Sequence, residues 1–264
     1  MTVFRQSWLL VLLGGIILYI GASQALRITG NPNFFPTVLI IGSFTIPVAF
    51  VTYIYGREQK LDTHAGSPFG MVILCFLIGG TIGVITAGLI QFQTLSEMNA
   101  SSIISIGFIE EAVKLIFPLA IFFRGKFRSE IDGILIGAAS GMGFASLETM
   151  GYGLVTFART GGDIGAMEQV LLARGILSPV GHAAWTGLVC AVLWRERQVK
   201  GRYLSPVVFG TFLLAAVLHM SWNFATSLAG DTAGSIALSV LGTLAVAVIS
   251  LVLLIRRLRE SRRH

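Results

Sequence analysis

The sequence predicts an all-α, polytopic membrane protein with about eight transmembrane helices and both termini cytoplasmic. Three observations predict it. First, the 264-residue chain is 54% hydrophobic and only 12% charged, against roughly 25% charged in soluble domains. Second, it repeatedly presents apolar stretches near the roughly 18 to 20 residues that cross a bilayer. Third, its Lys and Arg residues alternate in placement from loop to loop. One side collects Arg5; Arg57 and Lys60; Arg124, Lys126 and Arg128; Arg195, Arg197, Lys200 and Arg202; and the tail Arg256, Arg257, Arg259, Arg262 and Arg263. The other side holds Arg27, Arg159 and Arg174. Positive charge marks the cytoplasmic side, and the regular alternation supports an even number of spans.

The spans read as 7–26, 34–55, 69–91, 100–123, 131–156, 178–195, 204–229 and 233–256. The stretch from Trp8 to Leu26 is long for a signal-peptide core and more spans follow it, so it reads as a helix that stays. Asn31-Pro32-Asn33 and Pro36 break the chain before the second span, and Arg57 to Pro68 form a polar loop. Glu97-Met98-Asn99 precedes the fourth span. Gly161-Gly162-Asp163 sits in the longest loop, 157–177, where Asp163 and Arg174 read as solvated charges. Pro179 suits the first turn of the sixth helix. The whole of 1–264 reads as a single integral membrane domain. The formal charge of +6 sits at topological positions and on a basic tail, which suits the lipid bilayer and its headgroups and excludes nucleic acid as the expected partner. Cys75 and Cys190 are embedded in apolar runs without ligand spacing.

Ionisable residues interrupt four of these spans. Glu110, Glu111 and Lys114 lie in SSIISIGFIEEAVKLIFPLAIFF; Glu148 in ILIGAASGMGFASLETMGYGLV; His182 in SPVGHAAWTGLVCAVLW; His219 and Asn223 in VVFGTFLLAAVLHMSWNFATSL. A charge at bilayer depth costs roughly 2.5 to 3.5 kcal/mol on insertion scales, so it is retained where it pairs, lines a wet cavity or does chemistry. Depth groups them. At about 1.5 Å per residue, the glutamates of the fourth span lie about 15 Å below its outer end and Glu148 about 10 Å below. His182 sits one turn from the outer end of its helix, and His219 and Asn223 fall in the outer half as well. Helices running in opposite directions thus agree in depth, which predicts one site.

Glu110 and Lys114 are i,i+4, Glu111 and Lys114 are i,i+3, so one lysine can neutralise one of two adjacent carboxylates. The two glutamates point about 100° apart and are expected to do different work. Phe144 is i,i+4 to Glu148 and is expected to brace it; His219 and Asn223 share a face. Glutamates, histidines and an asparagine suit the activation of water: a carboxylate takes a proton, Glu or His binds a divalent metal, and Asn or His stabilises an oxyanion.

These four segments resemble the motifs of the PrsW-type intramembrane metalloproteases, in a wider superfamily with the CAAX prenyl proteases and bacteriocin-immunity proteins. Glu110-Glu111-Ala112-Val113-Lys114 is similar to their EExxK/R motif and Phe144 to Glu148 to FxxxE. His182 with Thr186-Gly187 resembles the third motif, and His219-Met220-Ser221-Trp222-Asn223 the fourth, HxxxN. The match covers about 100–229, in order; it departs at Thr149, where such proteins often carry Asn.

The resemblance implies a peptidase of the cell membrane that cuts a membrane-anchored protein, such as an anti-sigma factor, at or near the outer leaflet. Glu110 or Glu111 is then expected as general base and Asn223 as oxyanion donor or substrate-orienting group. Glu148, His182 and His219 are expected to hold a divalent metal, zinc first, with Lys114, Phe144 and Trp222 in support. A metal-free glutamate mechanism is also permitted. The alternatives are an ion-coupled transporter and a non-catalytic scaffold or immunity protein; no inverted repeat favours the transporter.

Overall fold

The computed structural model describes residues 6–61, 66–95, 100–201, 203 and 205–262. The Glu97-Met98-Asn99 segment lies outside them. Every regular element among the described residues is helical, and the chain divides into two compact units, 1–62 with 145–179 and 63–144 with 180–264.

In the first unit, α1 (Ser7–Thr29) ends at Gly30, whose left-handed φ of 62° lets its N–H reach Leu26 O at 2.9 Å; glycine adopts this conformation without steric cost. A 3-10 turn at Pro32–Phe34 leads into α2 (Phe35–Lys60). The expected loop 157–177 is largely a helix. After α7 (Glu130–Arg159), the positive-φ pair Gly161 and Gly162 turns the chain. Asp163 then caps α8 (Ile164–Leu177), its side chain accepting from the Ala166 N–H at 3.1 Å. Asp163 is exposed, as expected of a solvated charge, and also serves as the N-cap of this helix. The hidden signal was the spacing of Met167, Leu171 and Gly175, which α8 buries; Met167 and Leu171 share a core with Leu26, Val38 and Leu39. Glu168 accepts from Ser23 and from Arg27 (2.5 Å) on α1.

The second unit carries the rest. The third span is α3 (Phe69–Leu74), a π-helical turn at Cys75–Gly79, and α4 (Gly80–Thr94). The fourth is broken: α5 (Ala100–Lys114) and α6 (Ile116–Phe123) meet at Leu115. Pro118 explains the break, because it has no N–H to give the carbonyl of Lys114 one turn earlier. Ser140 Oγ on α7 donates to that carbonyl at 2.9 Å. Pro179 belongs to a 3-10 turn, Ser178–Val180, just before α9 (His182–Lys200), rather than to the helix's first turn. α10 (Pro206–Ser227) and α11 (Ala233–Ser261) complete the chain.

Glycines set the spacings that matter. A methyl group at Gly133 would lie 2.6 Å from Cys190 O, one at Gly137 would lie 2.6 Å from Thr186 O, and one at Gly141 would collide with His182 O. This one-turn stripe lets α7 run against the backbone of α9, as small residues do in membrane helix pairs. Gly107 plays the same part between α5 and α10: a methyl there would meet Met220 Cγ at 2.9 Å. The approach brings Glu111, one turn on, level with His219.

Among the described residues six stretches are long and apolar enough to cross a membrane: Ser7–Thr29, Pro32–Lys60, Phe69–Thr94, Ile164–Lys200, Pro206–Ser227 and Ala233–Ser261. Large apolar side chains such as Leu10, Ile17, Ile28 and Phe92 point outward, as suits contact with lipid. The protein is a polytopic, all-α, multi-pass membrane protein.

Candidate active site

Lys114 anchors a polar cluster in the second unit. Its side chain is fully buried, and Glu110, Glu111, His182 and His219 around it are buried as well. The ammonium donates to Glu111 Oε1 at 2.8 Å, lies 2.8 Å from His182 Nδ1 and 3.8 Å from Glu110 Oε2, and sits 4.4 Å over the Phe144 ring. Phe144, expected as a brace for Glu148, thus packs under the lysine and stacks with the His182 ring at 5.9 Å. Glu111 Oε1 also meets His219 Nδ1 at 2.8 Å, and His219 Nε2 lies 3.6 Å from Glu110 Oε2. Gln91, on α4, donates to Glu110 Oε1 at 3.2 Å.

The partners fix the histidine tautomers. A carboxylate accepts only, so His219 Nδ1 carries the proton that Glu111 receives, and Nε2 keeps a lone pair facing Glu110. An ammonium donates only, so His182 Nδ1 accepts and its proton stands on Nε2. The cluster therefore offers two proton acceptors, Glu110 and His219 Nε2, beside one N–H donor on His182. The adjacent glutamates make different contacts, as their angular separation predicts. Glu111 is committed to Lys114 and His219, and Glu110 faces the histidines.

Glu110, His182 and His219 each present a ligand atom, all within 4.8 Å of one another. Two imidazoles and a carboxylate are the donor set of a catalytic divalent-metal site, and the Glu111 contact leaves His219 Nε2 ready for ligation. The residues fit a divalent ion. His182 would offer its Nε2 lone pair only once Lys114 releases Nδ1.

The other expected residues lie as follows. Glu148 is in the first unit, where its Oε2 is 2.8 Å from Arg174 Nη2, and that guanidinium lies 4.0 Å over the Tyr152 ring. Arg174, read as a solvated loop charge, is thus half-buried in an ion pair, because α8 rather than a loop carries it. Asn223 stands one turn beyond His219 on α10, half-buried, with Trp222 beside it at 6.1 Å from Trp185. Sequence reasoning singled out neither Gln91 nor Ser250 nor Trp185 for the site. Trp185 stacks on His219 at 4.7 Å and donates its Nε1–H to Ser250 Oγ at 2.8 Å. An isolated amide and hydroxyl in otherwise apolar spans were the available signals.

Residues 67–255 match the PrsW family intramembrane metalloprotease. The chain belongs to the PrsW family. It is 30% identical to Protease PrsW of Bacillus subtilis over 190 residues, 67% of this chain and 77% of that protein. It is 27% identical to Protease PrsW of Oceanobacillus iheyensis over 183 residues, again 67% and 77%. Protease PrsW of Shouchella clausii is 24% identical over 200 residues, 72% of this chain and 83% of that protein. No solved structure matches significantly. In this PrsW-family chain the Lys114 cluster, Gln91 and Ser250 all fall inside the matched region.

Proposed function

We propose that the protein is an intramembrane peptidase that hydrolyses a peptide bond of a membrane-anchored protein at or near the outer leaflet. The observation that carries this reading is the buried meeting of Glu110, His182 and His219, ligand atoms within 4.8 Å, in a chain of a protease family. A transporter or a scaffold is not favoured by that membership.

Glu110 is the general base. Gln91 holds its Oε1, and its Oε2 faces the histidines, whereas Glu111 Oε1 is occupied by Lys114 and His219. A water between Glu110 and His219 Nε2 would give its proton to Glu110, which returns it to the leaving amine. Glu111 orients His219, as a carboxylate orients a histidine in many hydrolytic sites. His182 Nε2–H and the Asn223 amide are the donors for the oxyanion, a role in which one well-placed donor is worth about 10²- to 10³-fold. In the alternative, metal-loaded form Glu110, His182 and His219 would hold a divalent ion, zinc first, once Lys114 releases His182 Nδ1; Glu110 and His182 would then be ligands in place of base and donor, and the Asn223 amide would remain the oxyanion donor. When bound, the ion would lower the pKa of water and polarise the carbonyl. Glu148, by its place in the second motif, is proposed to support the reaction. The substrate class is a membrane-anchored regulatory protein, such as an anti-sigma factor.

The test compares membrane proteomes of cells with the wild-type chain and with Glu110→Gln. An anchored protein that persists uncut only with Glu110→Gln is the expected result. Identical anchored proteomes with an altered ion flux would overturn the reading in favour of transport. Metal analysis of purified protein decides the type. Close to one equivalent of bound ion, lost in His219→Ala, is expected, and equal content in both would leave the glutamate-type mechanism.

A further inference from the structure

We infer that Ser250, on the last helix and outside all four motifs, is a positioning residue for His219 that acts through Trp185. This rests on the reading of His219 as part of the reacting centre. Three observations carry it.

First, His219 is held at its edge by one bond, Nδ1 to Glu111 Oε1 at 2.8 Å. A single in-line bond fixes the direction of a ring but leaves rotation about that direction open. Second, the Trp185 indole lies over the His219 face, with centroids 4.7 Å apart and planes 26° from parallel. It also contacts the His182 ring at 5.5 Å. A flat indole against one face removes the rotation that the hydrogen bond leaves free, and so directs Nε2 toward Glu110. Third, Trp185 is itself pinned. It is 1% exposed, and its Nε1–H ends on Ser250 Oγ, also 1% exposed, at 2.8 Å. A buried indole N–H needs an acceptor, and among the described residues Ser250 is the acceptor it has. A serine inside a membrane helix more often bonds back to its own helix; here its oxygen serves a neighbouring helix. The chain Ser250–Trp185–His219–Glu111 thus connects α11, α9, α10 and α5, and both ends of it converge on the imidazole.

Glue between helices would use the same hydrogen bond, so the test reads the His219 ring itself. The full-length protein, labelled with 15N-histidine in detergent micelles, gives ring-proton signals that a His219→Gln variant assigns. An indole stacked on the imidazole moves its protons upfield. Ser250→Ala is expected to shift those signals toward the unstacked position, Ser250→Thr to retain them, and Ser250→Ala in a Trp185→Phe background to change nothing further, because the N–H is already gone. Cleavage of whichever anchored protein persists with Glu110→Gln is expected to fall about 2- to 10-fold in Ser250→Ala, the worth of one hydrogen bond, and to be restored by Ser250→Thr. Unmoved ring signals in Ser250→Ala would overturn the proposal. So would moved ring signals with unchanged cleavage, since the bond would then be glue alone. Should no anchored protein persist with Glu110→Gln, the peptidase reading fails, while the ring signals still decide whether Ser250 places His219.

Discussion

Lys114 and Arg174 are both cations set against glutamates of apolar helices, and their surroundings differ in kind. Lys114 is fully buried and shared among Glu111, Glu110 and His182, with an aromatic ring beneath it. Arg174 has 27% of its side chain exposed and pairs with Glu148 over a tyrosine. Removing one member of a buried ion pair leaves the other charged and unsolvated, which costs about 3 to 5 kcal/mol; a pair within reach of water is worth about 0.2 to 1 kcal/mol. In the first unit a cation answers a carboxylate. In the second, a single ammonium satisfies groups that belong to different helices, in a cluster of two carboxylates and two imidazoles.

The strongest way to break this contrast is at Glu110. Glu110→Gln keeps the shape and the Gln91 contact but removes the proton acceptor, and cleavage should fall by about 10²- to 10⁴-fold, as loss of a general base does. Comparable cleavage in Glu110→Gln, measured on the persisting anchored protein, would move the base to another residue. Next in size is Lys114→Met. It strands Glu111, whose Oε2 is already buried without a hydrogen-bond partner among the described residues. Thermal unfolding in detergent should show a loss of about 3 to 5 kcal/mol. A loss below about 1 kcal/mol would mean that water reaches the cluster and that Lys114 resembles Arg174 after all.

The same contrast shows what sequence could reveal. Six of the eight expected spans were legible because apolar length is a direct reading of the bilayer, and the cluster because Glu110, Glu111, His182 and His219 are ionisable residues within otherwise apolar stretches. The different contacts of Glu110 and Glu111 were half legible: helical geometry says they diverge, but only packing says which one meets Lys114 and His219. α8 was missed because a short helix beside glycines looks like a loop until its buried face at Met167, Leu171 and Gly175 finds α2. With α8 missed, Arg174 had no partner to be read with. The break at Leu115 needed both Pro118 and a distant serine, Ser140, to take up the free carbonyl. Gln91 and Ser250 carry no local signal beyond being polar, because their meaning lies in the helices they face.

Glu148 is where the comparison can be sharpened. Its place in the second motif makes it a candidate for supporting the reaction, while its carboxylate is 2.8 Å from Arg174. If Glu148 serves the reaction, Glu148→Gln should lower cleavage by about 10- to 100-fold, as residues supporting a metal centre do, and Arg174→Met should lower it far less. Equal small losses in the two variants would reduce Glu148 to its ion pair. The stability effect of Arg174→Met is the smallest expected here. Its partner stays within reach of solvent, with 17% of the Glu148 side chain exposed, and the change should cost about 0.2 to 1 kcal/mol. Part of even that cost comes from the face of Tyr152, on which the guanidinium stacks. Arg174→Lys should therefore recover the charge but not the stack, and settle between wild type and Arg174→Met in thermal unfolding. Full recovery by lysine would show that charge alone holds α8 to α7 at this point.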